Sequence, residues 1–317
     1  MASIDEILAA DTPAFGNAVR AIITGNTDDL RAELATAPGL IRARSASPHH
    51  ATLLHYVSAN GIESELQFAV PNADEIAALL IAAGAEVDAP CDAYVGLCRT
   101  TMDLLVSSDH PTEAGVAGRL VDLLCSAGAA IDGADGDGSL ATALYFGTLD
   151  CVCALIARGA RTDNVAFAAA AGRTDWVQSW LDDSANVMAR PPPASFPLSS
   201  DRAVAAEQAL VFASMCGQTE VVRLLLDRGV KVNANPPGSH WTATPLHTAA
   251  IQGQTVVVDL LLRRGADRTL KDSRYQSTPV GWLAHARGAR RALTREVAVL
   301  LGRDARAKTM AGHAGGH

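Results

Sequence analysis

Lysine is nearly absent from this chain: Lys231, Lys271 and Lys308 are the only three among 26 basic residues. Such arginine- and alanine-rich usage is what a GC-rich bacterial genome produces. Aromatic side chains make up 4% of the 317 residues, although 49% are hydrophobic. Small aliphatics therefore carry the apolar share, which favours tightly stacked helices over one bulky core. No apolar run approaches the length that crosses a bilayer, so no membrane partner is expected. The start, Met1-Ala2-Ser3-Ile4-Asp5-Glu6, has neither the basic opening nor the apolar core of a secretory leader, and a cytoplasmic protein is expected. Six scattered cysteines (Cys91, Cys98, Cys125, Cys151, Cys153, Cys216) read as reduced thiols, because a chain of this size needs no disulfide framework.

Charge is unevenly spread. The net −8 conceals twelve basic against four acidic residues between Arg263 and Lys308, a local +8 that leaves −16 for residues 1–262. That pattern excludes a blanket nucleic-acid footprint and leaves one basic end.

What the sequence does contain is a repeat. Its clearest copy starts Thr244-Pro245-Leu246-His247-Thr248-Ala249-Ala250-Ile251-Gln252-Gly253 and ends Leu260-Leu261-Leu262-Arg263-Arg264-Gly265-Ala266-Asp267. Thr244 reads as a helix N-cap, and Pro245 as the first helical residue, where a missing N–H costs nothing. Gly253 closes this short helix, and a second one aligns Val256, Val257, Leu260 and Leu261 before Gly265 stops it. The twelve-residue glycine spacing recurs from Gly217 to Gly229 and from Gly147 to Gly159. Gly84-Ala85 and Gly128-Ala129 repeat the ending, while Thr52-Leu53-Leu54-His55 and Thr278-Pro279-Val280-Gly281 repeat the start.

This grammar resembles the ankyrin repeat family. The resemblance implies an all-α solenoid of helix pairs joined by short β-hairpin fingers, with ligands on the concave face of first helices and fingers. About eight units are expected over residues 1–304, the first and last acting as caps. Ser3 and Glu6 form a capping-box pattern ahead of the first unit, and residues 305–317 are expected to be a disordered tail.

The grammar breaks in three places. Residues 62–74 and 107–115 are excess at matching points of adjacent units, so they are expected to form one ridge. Gly147 to Gly172 is 25 residues against 36 for Gly217 to Gly253, which predicts a stunted finger. Gly172 to Gly217 is 45, with the surplus in a proline-rich loop at 191–200. Trp176 and Trp180 read as core.

Catalytic and metal chemistry find little support, and neither a catalytic residue, a metal nor a cofactor is expected. The resemblance makes His55 and His247 structural ties between units. Cys151-Val152-Cys153 has the wrong spacing for zinc. Asp135-Gly136-Asp137-Gly138 lacks the twelfth-position acid of a calcium loop. The two positions before each mid-unit glycine face the groove in this family. Here they give Tyr145, Phe146, Met215, Cys216, Ile251 and Gln252, with His285 in the last unit and Trp241 on a finger. Tyr94 lies on an earlier finger. An exposed apolar strip marks a binding surface, so the expected function is non-catalytic recognition of a partner protein. The alternative is a small-molecule-binding or biosynthetic enzyme whose apolar groove is covered by the 191–200 loop; an anionic partner at the basic end is a third possibility.

Overall fold

The Thr244-Pro245 start folds as a helix opening, although the Thr244 side chain makes no cap hydrogen bond and meets His247 Nδ1 instead. Extended backbone at Thr244 leads into the helix Pro245–Ile251, with proline in the first turn. Gly253 turns the chain at φ +71°, the second helix runs Thr255–Arg263, and Gly265 reverses it at φ +87°. Only glycine holds such angles cheaply.

The computed structural model describes residues 2–96, 98–133, 138–182, 198–238, 242–286 and 293–302. These divide between two units, Met1–Arg161 and Thr162–His317. In the first, the leading helices are Pro13–Thr24, the 3-10 turn Leu53–Ser58, Thr101–Leu105 and Ser139–Phe146. Their partners are Thr27–Thr36, Ala73–Ala82, Ala117–Ser126 and Leu149–Ala157. In the second, the pairs are Val165–Ala170 with Thr174–Asp182, Arg202–Met215 with Thr219–Asp227, Pro245–Ile251 with Thr255–Arg263, and Pro279–Trp282 with the helix 293–302. The capping box at Ser3 and Glu6 forms in both directions.

Alanine sets the packing of the second unit. Ala168 and Ala169 on one leading helix, and Ala205, Ala209 and Ala213 on the next, are all buried. Side chains no larger than a methyl let the two backbones approach, so the core can be dense without large residues. The outer layer is Val221, Val222, Leu225, Val257, Val258 and Leu261, each worth about 1.5–3 kcal/mol when fully buried.

Successive repeats are fastened by a device that recurs within each unit. The N-cap residue of an outer helix leaves its own helix uncapped and donates its side chain to a main-chain carbonyl of the preceding repeat. Asn72 Nδ2 reaches Gly25 O at 2.9 Å and Thr148 Oγ1 reaches Val106 O at 2.7 Å. Gln218 Nε2 reaches Ala170 O at 3.0 Å and Gln254 Nε2 reaches Met215 O at 3.2 Å. Ser108 Oγ reaches Ala59 O at 3.3 Å from the N-cap of the short helix Asp109–Glu113. The glutamine passes so close that a Cβ at Gly217 would lie 2.4 Å from Gln254 Oε1. Outer helices add ion pairs of one polarity: Arg119–Asp74, Arg158–Asp122, Arg228–Asp182 and Arg264–Asp227, at 2.6–2.8 Å. Such exposed pairs contribute about 0–1 kcal/mol each.

Three expectations need amendment or fall outside view. No β-strand forms among the described residues; one isolated antiparallel bridge joins Cys91 and Arg99. Part of the surplus assigned to the 191–200 loop is helix instead, because Asp201 caps a leading helix of 14 residues, Arg202–Met215. The rest of that loop (191–197), Asp135-Gly136-Asp137, Trp241 and the tail 305–317 lie outside the described residues. The two excess segments do meet: Leu66, Phe68 and Val70 of one and Pro111 of the other line a small void of about 10 Å³ with Ile22 and Tyr56.

Candidate functional site

The histidines of the start motif were expected to be ties, and their contacts explain how. Thr244 Oγ1 lies 2.8 Å from His247 Nδ1, and His247 Nε2 lies 3.0 Å from Ser277 O of the following repeat. A hydroxyl donor on one side and a carbonyl on the other require the Nε2–H tautomer. His55 is built alike: Thr52 N–H donates to Nδ1 at 3.1 Å, with Thr52 Oγ1 at 2.8 Å. Its buried Nε2 lies near the Arg99 and Ala89 carbonyls but makes no hydrogen bond, so the tie that His247 closes stays open here. Burial lowers both imidazoles, His55 to about 4.

Beyond His247 the segment that would be a finger is organised by one carboxylate. Asp272, fully buried, accepts from the N–H groups of Arg274 (2.9 Å), Tyr275 (2.6 Å) and Ser277 (2.8 Å), and from Trp282 Nε1 (3.1 Å). Trp282 in turn meets His247 edge to face at 5.0 Å. These are supporting contacts that hold the last two repeats together.

One such residue is invisible to the motif. Counting back from Gly217 as Thr244 stands to Gly253 gives Gln208, 1% exposed. Its Oε1 accepts from Ser199 N at 2.9 Å and its Nε2 donates to Pro237 O at 2.6 Å. A single amide thus spans the gap that threonine and histidine bridge in the next repeat. The only sequence signal is the glycine count itself. Replacing Gln208 with Ala leaves the half-buried Ser199 N–H and the carbonyl of the exposed Pro237 without their partner, and urea unfolding should show a loss of about 1–2 kcal/mol. An unchanged midpoint would mean that water takes over both contacts.

The residues expected to face the groove separate into groups. In the first unit Tyr145 and Phe146 are half-buried and pack edge to face at 5.1 Å. In the second, Cys216 and Ile251 are half-buried and His285 is exposed. Met215 and Gln252, at 3% and 5% exposure, are packed into the wall and offer little surface to a ligand. Methionine bends to fill gaps between close helices, and here it does so. Trp180 is core as expected, with the Arg202 guanidinium 4.1 Å from its ring.

The basic end is less free than its charge suggests. Arg263 and Arg264 are paired with Asp259 and Asp227 at 2.8 Å each. Arg268 donates to Leu301 O, and Arg274 lies over the Tyr275 ring. Arg287, Arg290 and Arg291 are outside the described residues. Among the described residues no three His, Cys, Asp or Glu side chains converge as a metal site would need. No described helix is long and apolar enough to cross a membrane. A shallow groove of about 730 Å³ lies elsewhere, between Leu34 and Arg31 on one outer helix and Glu75, Ala78, Leu79 and Ala82 on the next.

Comparison with known proteins agrees with this geometry. None of the curated proteins compared matches the chain. The family described as ankyrin repeats, in three copies, matches residues 165–272, which lie within the second unit and include the Thr244–Gly253 start. Paired helices, glycine turns and a motif histidine, His247, bonded to the following repeat accompany that match, and residues 165–272 are ankyrin repeats.

Proposed function

We propose that the chain is a non-catalytic scaffold that recognises a partner protein through the ends of its leading helices. Ankyrin repeats generally mediate protein–protein interaction. The observation that carries the reading here is that residues just before the glycine turns stay partly open although their helices are tightly packed: Tyr145 and Phe146 in one unit, Cys216 and Ile251 in the other. His285 adds a polar group on the second. Met215 and Gln252 are buried and take no direct part. An amphipathic helix with an apolar stripe is the partner such positions suit.

The test uses a photo-crosslinking amino acid at Phe146 or at Ile251, with the exposed Val256 on an outer helix as control. A protein joined from the first two positions, and not from the third, is then purified and titrated. Phe146→Ala should weaken that complex by about 2 kcal/mol. Because Phe146 is half-buried, its own stability cost should be about 1–2 kcal/mol, between surface and core values. Full affinity in both Phe146→Ala and Ile251→Ala would sink the reading.

A further inference from the structure

Among the described residues five non-glycine residues have left-handed φ, and three of them meet in one corner of the first unit: His50 (+48°), Ala59 (+47°) and Tyr94 (+53°). Side chains disfavour that conformation, so it persists only where neighbours enforce it. Here they do. Asp92 N–H donates to His49 O at 2.7 Å, and His50 Nδ1 lies 2.8 Å from Asp92 Oδ2. The Tyr94 hydroxyl donates to Asn60 Oδ1. Asn60 Nδ2 donates onward to Leu104 O (3.2 Å) and Ser107 Oγ (2.8 Å). The result is an aromatic ring fixed at its far end and still 54% exposed.

Two cations belong to the same corner. Arg44 Nη1 donates to His50 O and Pro90 O, at 3.0 and 2.6 Å. Arg99 pairs with Cys91 through the backbone and lies within electrostatic reach of Tyr94. Neither guanidinium has a carboxylate partner among the described residues, whereas the acids around them are engaged. Asp92 is held by His50, Glu63 by His49 at 3.1 Å, and Asp103 by Thr100. Burial would raise the Glu63 carboxyl, but the hydrogen bonds from His49, the backbone and Ser47, with the charge of His49, together outweigh it and bring it to about 2.

We propose that this corner recognises an acidic segment of a partner protein: Tyr94 stacks on an apolar or proline side chain, and Arg99 and Arg44 take the flanking carboxylates. A ring whose freedom is already spent binds with less entropic cost, and unpaired arginines on a net acidic protein select for negative charge. The proposal rests on the reading that the chain recognises protein, but it uses other residues.

The probe is a fluorescein-labelled nonapeptide of six glutamates flanking a Pro-Leu-Pro centre, titrated by anisotropy into the full chain, with a six-glutamine counterpart. The acidic peptide should bind, and bind about tenfold more weakly when salt rises from about 0.05 to about 0.5 M. Tyr94→Ala and Arg99→Gln should each weaken it about tenfold or more, while Tyr94→Phe, which keeps the ring, should stay within about threefold. Should Tyr94→Ala melt the unit, Arg99→Gln carries the test alone. Equal affinity for the glutamine peptide, no binding of the acidic one, or full affinity in Arg99→Gln would overturn the proposal. Loss of binding in Phe146→Ala or Ile251→Ala with Arg99→Gln intact would move the peptide to the helix-end surface, overturning this site and not the scaffold reading.

Discussion

Lowering the pH from 7 to 4 should cost the protein about 3 kcal/mol through His55 alone. The imidazole is fully buried, and burial, aided by the charges of Arg44 and His49, lowers it from 6.5 to about 4 against the pull of the Arg99 and Ala89 carbonyls. The direction follows from proton binding. Between 6.5 and about 4 the unfolded chain binds a proton that the folded chain refuses, so stability is complete above 6.5 and declines steadily down to about 4. The contact geometry gives the same sign. An imidazolium would carry hydrogen on Nδ1, facing the Thr52 N–H that now donates to it. Urea midpoints measured across this range should fall in the natural chain, and fall less in His55→Gln, which has nothing to titrate. Parallel curves for the two proteins would refute the assignment.

The second large effect is expected at Asp272. Asn has the same shape but places an NH₂ group and a single oxygen where four donors converge. Charge-assisted bonds are lost and at least one buried N–H is left facing another, so Asp272→Asn should cost about 3–5 kcal/mol. Burial by itself raises this carboxyl, but the N–H donors of Tyr275, Trp282, Ser277 and Arg274 outweigh it and leave it below 3.8. The contribution is therefore complete above pH 3.8 and lost as the pH falls from there through the folded value. In Asp272→Asn that acid-range loss should disappear. Because the Trp282 indole is one of the four donors, its fluorescence reports the change directly. A variant with native emission and midpoint would show the cluster to be dispensable.

Much of the fold was legible because it rests on backbone chemistry. Proline at the first helical position and glycine at a left-handed turn leave few alternatives, so Thr244 to Gly265 could be placed residue by residue. The fasteners between repeats were not legible. Asn72, Ser108, Thr148 and the pair Gln218 and Gln254 are different chemistries doing one job; the two glutamines recur 36 residues apart after their glycines, but that spacing does not say what their side chains bond. Gln208 escaped for a related reason: a single side chain replaces a two-residue motif, so a search for the motif finds a blank. At the candidate site, position before the glycine gave Phe146 and Ile251 as partly open, but could not foresee that Met215 and Gln252 would be packed away. Exposure there depends on the neighbouring repeat's side chains and not on the local pattern. Tyr94 was visible only as an aromatic on a finger; the left-handed backbone that presents it is a tertiary fact.

Each fastener between repeats has a side chain at one end and a peptide carbonyl at the other. No substitution, proline included, removes a carbonyl, so the receiving repeat can change every side chain it owns and still be held. Only the donor can be lost, and amide, hydroxyl or shorter amide all serve. Each repeat so fastened carries its own attachment to the one before it, like a tile whose tongue fits any groove. Sequence divergence between adjacent repeats then need not loosen their joint, and a duplicated or exchanged repeat would bring its own means of attachment with it.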